Sequence, residues 1–244
     1  MASQTFKKEG LAVVLLSGGL DSMIALVYAL ENYVDEAVCL TFDYGQKQSI
    51  EIQCAQKVAE ALNCRWIREE IPMIKHRMAD SSANIVGSKT EVPKAEEVLG
   101  DPQPVTYVPN RNMIMLSLAI SYAEAIGAEK VVAGLQQHDT YGYFDTTPQF
   151  LEKVNDVIRL NRKNRIEVLS PFIGKSKRDE LLWLMKAKGN LSLCGLTMTC
   201  YNPGYNLRNE AYQSCQECAS CKERQKAFAD IGQEDRQMQI VCKL

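Results

Sequence analysis

The chain has 244 residues, 46% hydrophobic and 24% charged, with 28 basic against 30 acidic side chains and a net charge of −2. This length buries a real core in one large α/β domain, with room for a small appendage. The balanced charge argues against a generic nucleic-acid binder, no apolar run approaches the roughly 18 residues of a membrane span, and the first ten residues lack a signal-peptide apolar stretch, so the expected location is cytoplasmic.

Leu11 to Leu16 is a continuous apolar run, the pattern of a buried parallel strand, and it ends in Ser-Gly-Gly. Met23, Leu26, Val27 and Leu30 then recur at helical spacing. Ala37 to Phe42 reads as a second strand closed by Asp43-Tyr44-Gly45, Ile50, Cys54, Val58 and Leu62 as a helix, and Cys64 to Ile71 as a third strand. Strand–helix–strand–helix–strand implies a parallel sheet with right-handed crossovers. His76 to Thr106 is polar and aperiodic and reads as a long surface segment with at most a short helix. A buried helix is expected over Asn112 to Ile126, a strand over Lys130 to Leu135, a helix marked by Leu151, Val154 and Ile158, and a short strand over Glu167 to Phe172. Ser176 can cap the next helix, with Asp179 three residues on, and Gly189 can end it. The sheet domain is expected to span 1–190, and a Cys-rich lobe 191–244.

Ser17-Gly18-Gly19-Leu20-Asp21-Ser22 sits at a strand end and opens a helix. Two glycines let the backbone turn its N–H groups toward an anion, and the helix N-terminus adds partial positive charge. Ser17 and Ser22 can donate to phosphate oxygens, whereas Asp21 suits Mg²⁺. The Lys of a Walker-A loop is missing.

Nine cysteines in a reducing compartment argue against disulfides. Cys39, Cys54 and Cys64 lie in apolar patterns and read as small hydrophobes, while Cys194 and Cys242 have no assignment. Cys200 and Cys215-x-x-Cys218-x-x-Cys221 offer four thiolates, the donor set of a closed Zn²⁺ site, with an iron–sulfur cluster as the rival. Lys222, Arg224 and Lys226 are candidates to offset its charge. His76, flanked by Lys and Arg, reads as exposed, and His138 stands at the end of the Lys130–Leu135 strand, where open α/β sheets bind ligands.

The Ser17–Ser22 loop resembles that of the PP-loop ATP pyrophosphatases, which split ATP to AMP and pyrophosphate. Thr41-Phe42-Asp43-Tyr44-Gly45-Gln46, Val108-Pro109-Asn110-Arg111-Asn112, Lys177 at a helix start and Thr197-Met198-Thr199-Cys200-Tyr201 narrow the resemblance to the 7-cyano-7-deazaguanine synthases, with Asn110 where that family has Gly. The resemblance implies a doubly wound α/β fold of the PP-loop, Rossmann-like type with a small C-terminal Cys₄ zinc lobe, and a homodimer. It implies ATP contacts at Leu16, Ser17, Gly18, Gly19, Leu20, Asp21, Ser22, Phe42, Tyr44 and Gln46. Asp21, Arg111 and Lys177 would be catalytic, the two cations neutralising phosphate charge as the anhydride breaks. Asn110, Asn112, Gln136, His138, Asp139, Tyr143 and Asp145 would hold the substrate, and Cys200, Cys215, Cys218 and Cys221 the zinc. The implied reaction joins a 7-carboxy-7-deazaguanine acid, ATP and ammonia, giving an amide and then the nitrile, with Asp145 reading the purine-like edge.

One segment departs. Where the family reads D-x-S-G-Y-P-D-C-R, this chain has Asp139-Thr140-Tyr141-Gly142-Tyr143-Phe144-Asp145-Thr146-Thr147, and the interval from Cys200 to Cys215 is also longer than usual. These changes keep open a paralogue that stops at the amide or joins the base to another amine, such as a protein N-terminus in an antiphage conjugation system. A tRNA-modifying thiolase and a nucleotide-binding module without turnover are the remaining alternatives.

Overall fold

The computed structural model describes residues 10–98, 101, 103–136, 143–161, 163, 165–207, 211–235 and the backbone of 240–241. The expected strands and helices appear as β1 (Leu11–Leu15), α1 (Leu20–Asn32), β2 (Glu36–Asp43), α2 (Ile50–Ala61), β3 (Arg65–Glu70), then, after a short helix α3 (Pro72–Arg77) that was not expected there, α4 (Arg111–Ile126), β4 (Lys130–Ala133), α5 (Pro148–Ile158), β5 (Glu167–Leu169) and α6 (Lys177–Lys188). Beyond them lie β6 (Gly204–Asn206), β7 (Ala211–Gln213), α7 (Ala219–Asp230) and β8 (Ile240–Val241).

The main sheet is parallel throughout, in the order β3-β2-β1-β4-β5. Alternation along β1 explains its burial on both faces. Ala12, Val14 and Leu16 pack with residues of α1, α2, α6 and α7, whereas Val13 packs with α4 and α5 on the other side. Helices on both faces make the sheet doubly wound, and the order in which strands are added reverses between β1 and β4. Such a switch point opens a crevice at the carboxyl ends of those strands.

Ser176 and Asp179 form the expected capping box on α6, and Gly189 ends it with φ 72°. Two regions differ from expectation. The segment 76–106 is not wholly superficial: Ser82, Ala83, Asn84 and Ile85 are buried, Ala83 N–H donates to the Val105 carbonyl at 2.7 Å, and Ile85 bridges to Gln46. Two of its polar groups are paired within the fold, with Ser82 Oγ and Asn84 Nδ2 both donating to the Thr106 carbonyl. Periodicity cannot reveal a segment buried in this way. The helix α4, expected to be buried, covers the sheet with Leu116, Ala119 and Ala123 and leaves Met113 and Leu118 exposed.

At the C-terminal end, β6, β7 and β8 form a small antiparallel sheet, and α7 packs on α6. Arg224 of α7 is 2% exposed and donates to Asp235 at 2.6 and 2.9 Å, to Thr197 Oγ1 at 2.8 Å and to the carbonyl oxygens of Cys194 and Thr197. Lys226 pairs with Asp230 on the surface. Those two cations are therefore engaged with other partners.

A cavity at the switch point and a four-cysteine centre

The turn after β1 is shaped by contacts from three directions. Gly18 has φ 93°, and a Cβ there would lie 2.0 Å from the Glu51 carbonyl oxygen of α2, so only glycine fits. Gly19 begins α1 as its N-cap, with no side chain capping the first turn. Uncapped first-turn N–H groups are an anion site. Ser17 and Ser22 hydroxyls lie 3.0 Å apart, Ser17 Oγ accepts the Gly19 N–H, and Ser22 Oγ donates to the Gly19 carbonyl.

This turn borders a cavity of about 240 Å³. Leu16, Ser17, Gly19, Asp21 and Ser22 line it, as do Phe42, Tyr44 and Gln46 from the end of β2. Gly18 and Leu20 do not: Gly18 is pressed on α2, and Leu20 is in the core at 0% exposure. Gln46 fixes the β2 turn by accepting the Tyr44 N–H and donating to the Phe42 carbonyl. Gly45 has φ 83° there, and a Cβ would come within 2.8 Å of Lys75.

Lys177 reaches the turn from the start of α6. It is 7% exposed and donates to Asp21 Oδ1 at 2.6 Å and to Gln136 Oε1 at 3.2 Å. Burial disfavours its ammonium, yet the charges of Asp21, Glu180 and Glu223 outweigh that and hold its pKa above the ordinary lysine value. Arg111 enters from the start of α4 and donates to Tyr44 Oη at 3.1 Å and to Asn112 Oδ1 at 3.2 and 3.3 Å, with its guanidinium over the Tyr44 ring. Burial works against this charge as well, but Tyr44, Tyr201 and Asp145 raise its pKa, so it remains a cation. Asn110 lines neither this cavity nor its neighbour. It adopts a left-handed backbone, φ 51°, which Asn tolerates better than most residues and which explains Asn in place of Gly.

A second, smaller cavity adjoins the first. Arg111, Asn112, Tyr143, Thr146 and Tyr201 line both, and Asp145, 2% exposed, lines the smaller one. Burial raises the Asp145 pKa, and Arg111 opposes the rise. Gln136 lines the larger cavity; His138 and Asp139 lie outside the described residues.

Several lining residues escaped the sequence reading. Gln48 and Glu51 flank the larger cavity from the start of α2, and burial, then Asp21, pushes the Glu51 carboxyl well above the usual range. Gly134 follows β4, where a Cβ would lie 2.7 Å from the Ser22 nitrogen. Asn84 of the buried loop lines the smaller cavity. Helical spacing could have found Glu51, one turn after Gln48. Gly134 and Asn84 carry no local signal.

The four cysteines converge. The Sγ atoms of Cys200, Cys215, Cys218 and Cys221 all lie within 4.8 Å of one another, a set that could hold a metal ion. Backbone N–H groups support the sulfurs: Asn202 and Cys215 donate to Cys200 Sγ, and Cys218 and Glu217 to Cys215 Sγ. Hydrogen bonds from Cys200, then Cys221, draw the Cys218 thiol down to about 2. Met198, two residues before Cys200, donates its N–H to the Gly18 carbonyl at 3.0 Å, tying the centre to the turn after β1.

Comparison with known proteins agrees with this arrangement. The family model described as queuosine biosynthesis protein QueC matches residues 11–232. The 7-cyano-7-deazaguanine synthase of Marinomonas sp. (strain MWYL1) is 36% identical over 225 residues, covering 92% of this chain and 95% of that protein. That of Clostridium kluyveri is 35% identical over 230 residues, with 92% and 95% covered. Among solved structures, the U34-tRNA thiolase NcsA from Methanococcus maripaludis with its 4Fe–4S cluster aligns at 13% identity and TM-score 0.43, covering 94% of this chain and 66% of that one, too distant to bear on function. The family match over most of the chain, together with relatives above 30% identity along nearly their whole length, shows that this protein belongs to the QueC family of queuosine biosynthesis proteins.

Proposed function

We propose that the protein is an ATP-dependent C–N ligase that adenylates a 7-carboxy-7-deazaguanine acid and passes it to ammonia. The observation that carries this reading is the shared wall of the two cavities. Arg111 stands between the turn suited to pyrophosphate and a pocket edged by a buried carboxylate suited to a base. The triphosphate lies against Ser17–Ser22, with its nucleoside toward Phe42, Tyr44 and Gln46, and Asn112, Tyr143 and Asp145 hold the base, with Gln136 near the reacting end. The substrate carboxylate oxygen attacks the α-phosphorus, the bond to the β-phosphate oxygen breaks, and pyrophosphate leaves into the turn. Arg111 and Lys177 stabilise the charge that develops. Ammonia attacks the acyl carbon, AMP departs, and loss of a proton leaves the amide. A second ATP adenylates the amide oxygen with release of pyrophosphate and one N–H proton, and loss of AMP with the remaining N–H proton gives the nitrile.

Magnesium, when bound, would screen the phosphates. Asp21 and Glu51 supply carboxylates on the cavity wall for it. Zinc suits the four cysteines, because a tetrahedral Zn–S bond of about 2.3 Å sets the sulfurs roughly 3.8 Å apart. An iron–sulfur cluster spreads its thiolates more widely, since each binds a different iron. A homodimer is supported by apolar side chains left exposed on one sheet face, Met113 and Leu118 of α4 and Val157 of α5; light scattering tests it. In this reading the chain forms two lobes, 1–190 and 191–244, and works in the cytoplasm. Among the described residues, no helix is long and apolar enough to cross a membrane.

The test is ATP–pyrophosphate exchange with and without the acid, followed by mass spectrometry of the product formed with ammonium. Exchange that ignores the acid would refute the reading. Thr147 gives a specific reason to resolve amide from nitrile. Its hydroxyl accepts the Phe150 N–H and caps α5, and it supplies no charge at the position where the family's pattern has Arg. A time course in which amide accumulates, or in which an added amine or peptide N-terminus is acylated, would favour the paralogue.

A further inference from the structure

The smaller cavity is lined by a residue that no part of the reaction above uses. Asn84 is 3% exposed, and its Oδ1 is buried with no hydrogen-bond partner among the described residues. The amide is not free to turn. Its Nδ2 donates to the Thr106 carbonyl at 3.1 Å, its backbone N–H donates to Ser82 Oγ at 3.1 Å, and its carbonyl accepts the Lys47 N–H at 2.8 Å. Thr106 O is an acceptor, so the NH₂ end must face it, and the oxygen is committed to the opposite side. A buried acceptor held in this way costs free energy until a donor arrives.

Asp145 lines the same cavity. A guanine-type ring presents three N–H bonds along one edge, from N1 and from the exocyclic 2-amino group. One carboxylate accepts two of them in bidentate fashion. The third N–H, the outer one of the 2-amino group, requires a separate acceptor.

We propose that Asn84 is the specificity-determining residue for the 2-amino group of the base, its Oδ1 accepting the N–H that Asp145 leaves over. The inference rests on the adenylation reading above and adds a discrimination to it. A base lacking the 2-amino group leaves Asn84 Oδ1 unpaired in the bound state, and a site with a buried unpaired acceptor rejects such an analogue.

The test compares 7-carboxy-7-deazaguanine with its 2-deamino counterpart in ATP–pyrophosphate exchange, using the full chain. Wild type should prefer the 2-amino acid by about tenfold or more in kcat/KM. Asn84→Leu should lose about tenfold on the 2-amino acid, keep its rate on the 2-deamino acid, and so erase most of the preference. Asn84→Asp, as a protonated carboxyl that donates to the Thr106 carbonyl and keeps an acceptor oxygen in place, should retain the preference and serves if the leucine variant does not fold. Equal use of both acids by wild type overturns the inference while leaving the adenylation reading intact, and needs no variant. A loss of equal size on both acids in Asn84→Leu also overturns it, because that is the signature of a loop-holding role. If wild type exchanges on neither acid, the adenylation reading fails and the inference with it.

Discussion

Gly134→Ala tests whether the turn after β1 is held where catalysis needs it. Gly134 lies just past β4, and its φ is not in the left-handed region, so alanine fits its backbone conformation. The added Cβ is the whole perturbation. It would lie 2.7 Å from the Asp21 carbonyl carbon and the Ser22 nitrogen, about 0.7 Å inside the 3.4 Å at which ordinary contact begins. All of its nearest neighbours are backbone atoms of the first turn of α1, so no side chain can swing away. The helix start must retreat or β4 must bend. Overpacking of this kind costs about 1–3 kcal/mol, which for a chain of this size lowers Tm by roughly 2–12 °C.

The catalytic effect should be larger than the stability effect suggests. If the turn holds the phosphates as proposed, a displacement approaching 1 Å disturbs in-line attack, and such misplacement costs up to about 10²-fold. Gly134→Ala should therefore lower kcat/KM for acid-dependent ATP–pyrophosphate exchange about 10- to 100-fold with circular dichroism unchanged. Gly204→Ala is the matched control, because a Cβ at Gly204 meets nothing within 4 Å and its φ is also ordinary. Wild-type exchange in Gly134→Ala would refute the claim that this contact positions the turn.

Asp21→Ala should abolish ATP cleavage and leave a folded protein, since Asp21 lines the cavity and pairs with Lys177 instead of filling the core; wild-type turnover would remove it from the mechanism. Purified protein should hold about one zinc per chain by elemental analysis, and iron with matching sulfide would overturn that assignment. Cys218→Ser, measured by thermal melting, should lower Tm and solubility more than it lowers the rate of the folded fraction. Arg224→Ala should destabilise by about 3–5 kcal/mol in urea unfolding, because it takes the buried guanidinium away from the largely buried Asp235 carboxylate; a change below about 1 kcal/mol would show that α7 is held by its apolar face alone.

What the sequence shows and hides follows from how local each signal is. The turn at 17–22 is legible because an apolar strand, two glycines and a helix start are adjacent in the chain, and the structure puts them together as read. The α6 cap is legible for the same reason, with Ser176 and Asp179 three residues apart. Gly134 is not legible, because the reason for a glycine there is the backbone of Asp21 and Ser22, more than 100 positions earlier. The loop at 82–85 looked superficial because its composition is polar, but Ser82 Oγ and Asn84 Nδ2 both donate to one carbonyl, that of Thr106, and composition does not reveal that pairing. Arg224 could be read as a counter-charge for the cysteines, since it stands three residues after Cys221; in the fold its guanidinium turns to Asp235 and the 194–197 turn. The four cysteines were legible as a set, and their convergence required only that the lobe fold back on the sheet.

The distance between the cysteine centre and the cavity in sequence conceals how directly they are joined. Ile50 and Cys54 of α2 pack in one apolar cluster with Met198, Cys200, Cys218 and Cys221. The same helix presents the Glu51 carbonyl against Gly18. The Met198 N–H holds the Gly18 carbonyl, and Thr199, one residue before the first cysteine, lines the cavity. Gly18 is thus fixed on one side by α2 and on the other by the strand of chain that leads into the centre. β4 meets the start of α1 at Gly134, and Lys177 closes the cluster from α6. A turn built from two glycines has little stiffness of its own, and an anion site is effective only when its donors are held in place before the charge develops. The rigidity therefore comes from its surroundings, and the cysteine centre belongs to those surroundings. On this argument a metal at Cys200, Cys215, Cys218 and Cys221 need not touch a substrate to matter for the reaction, because it fixes the segment that in turn fixes Gly18.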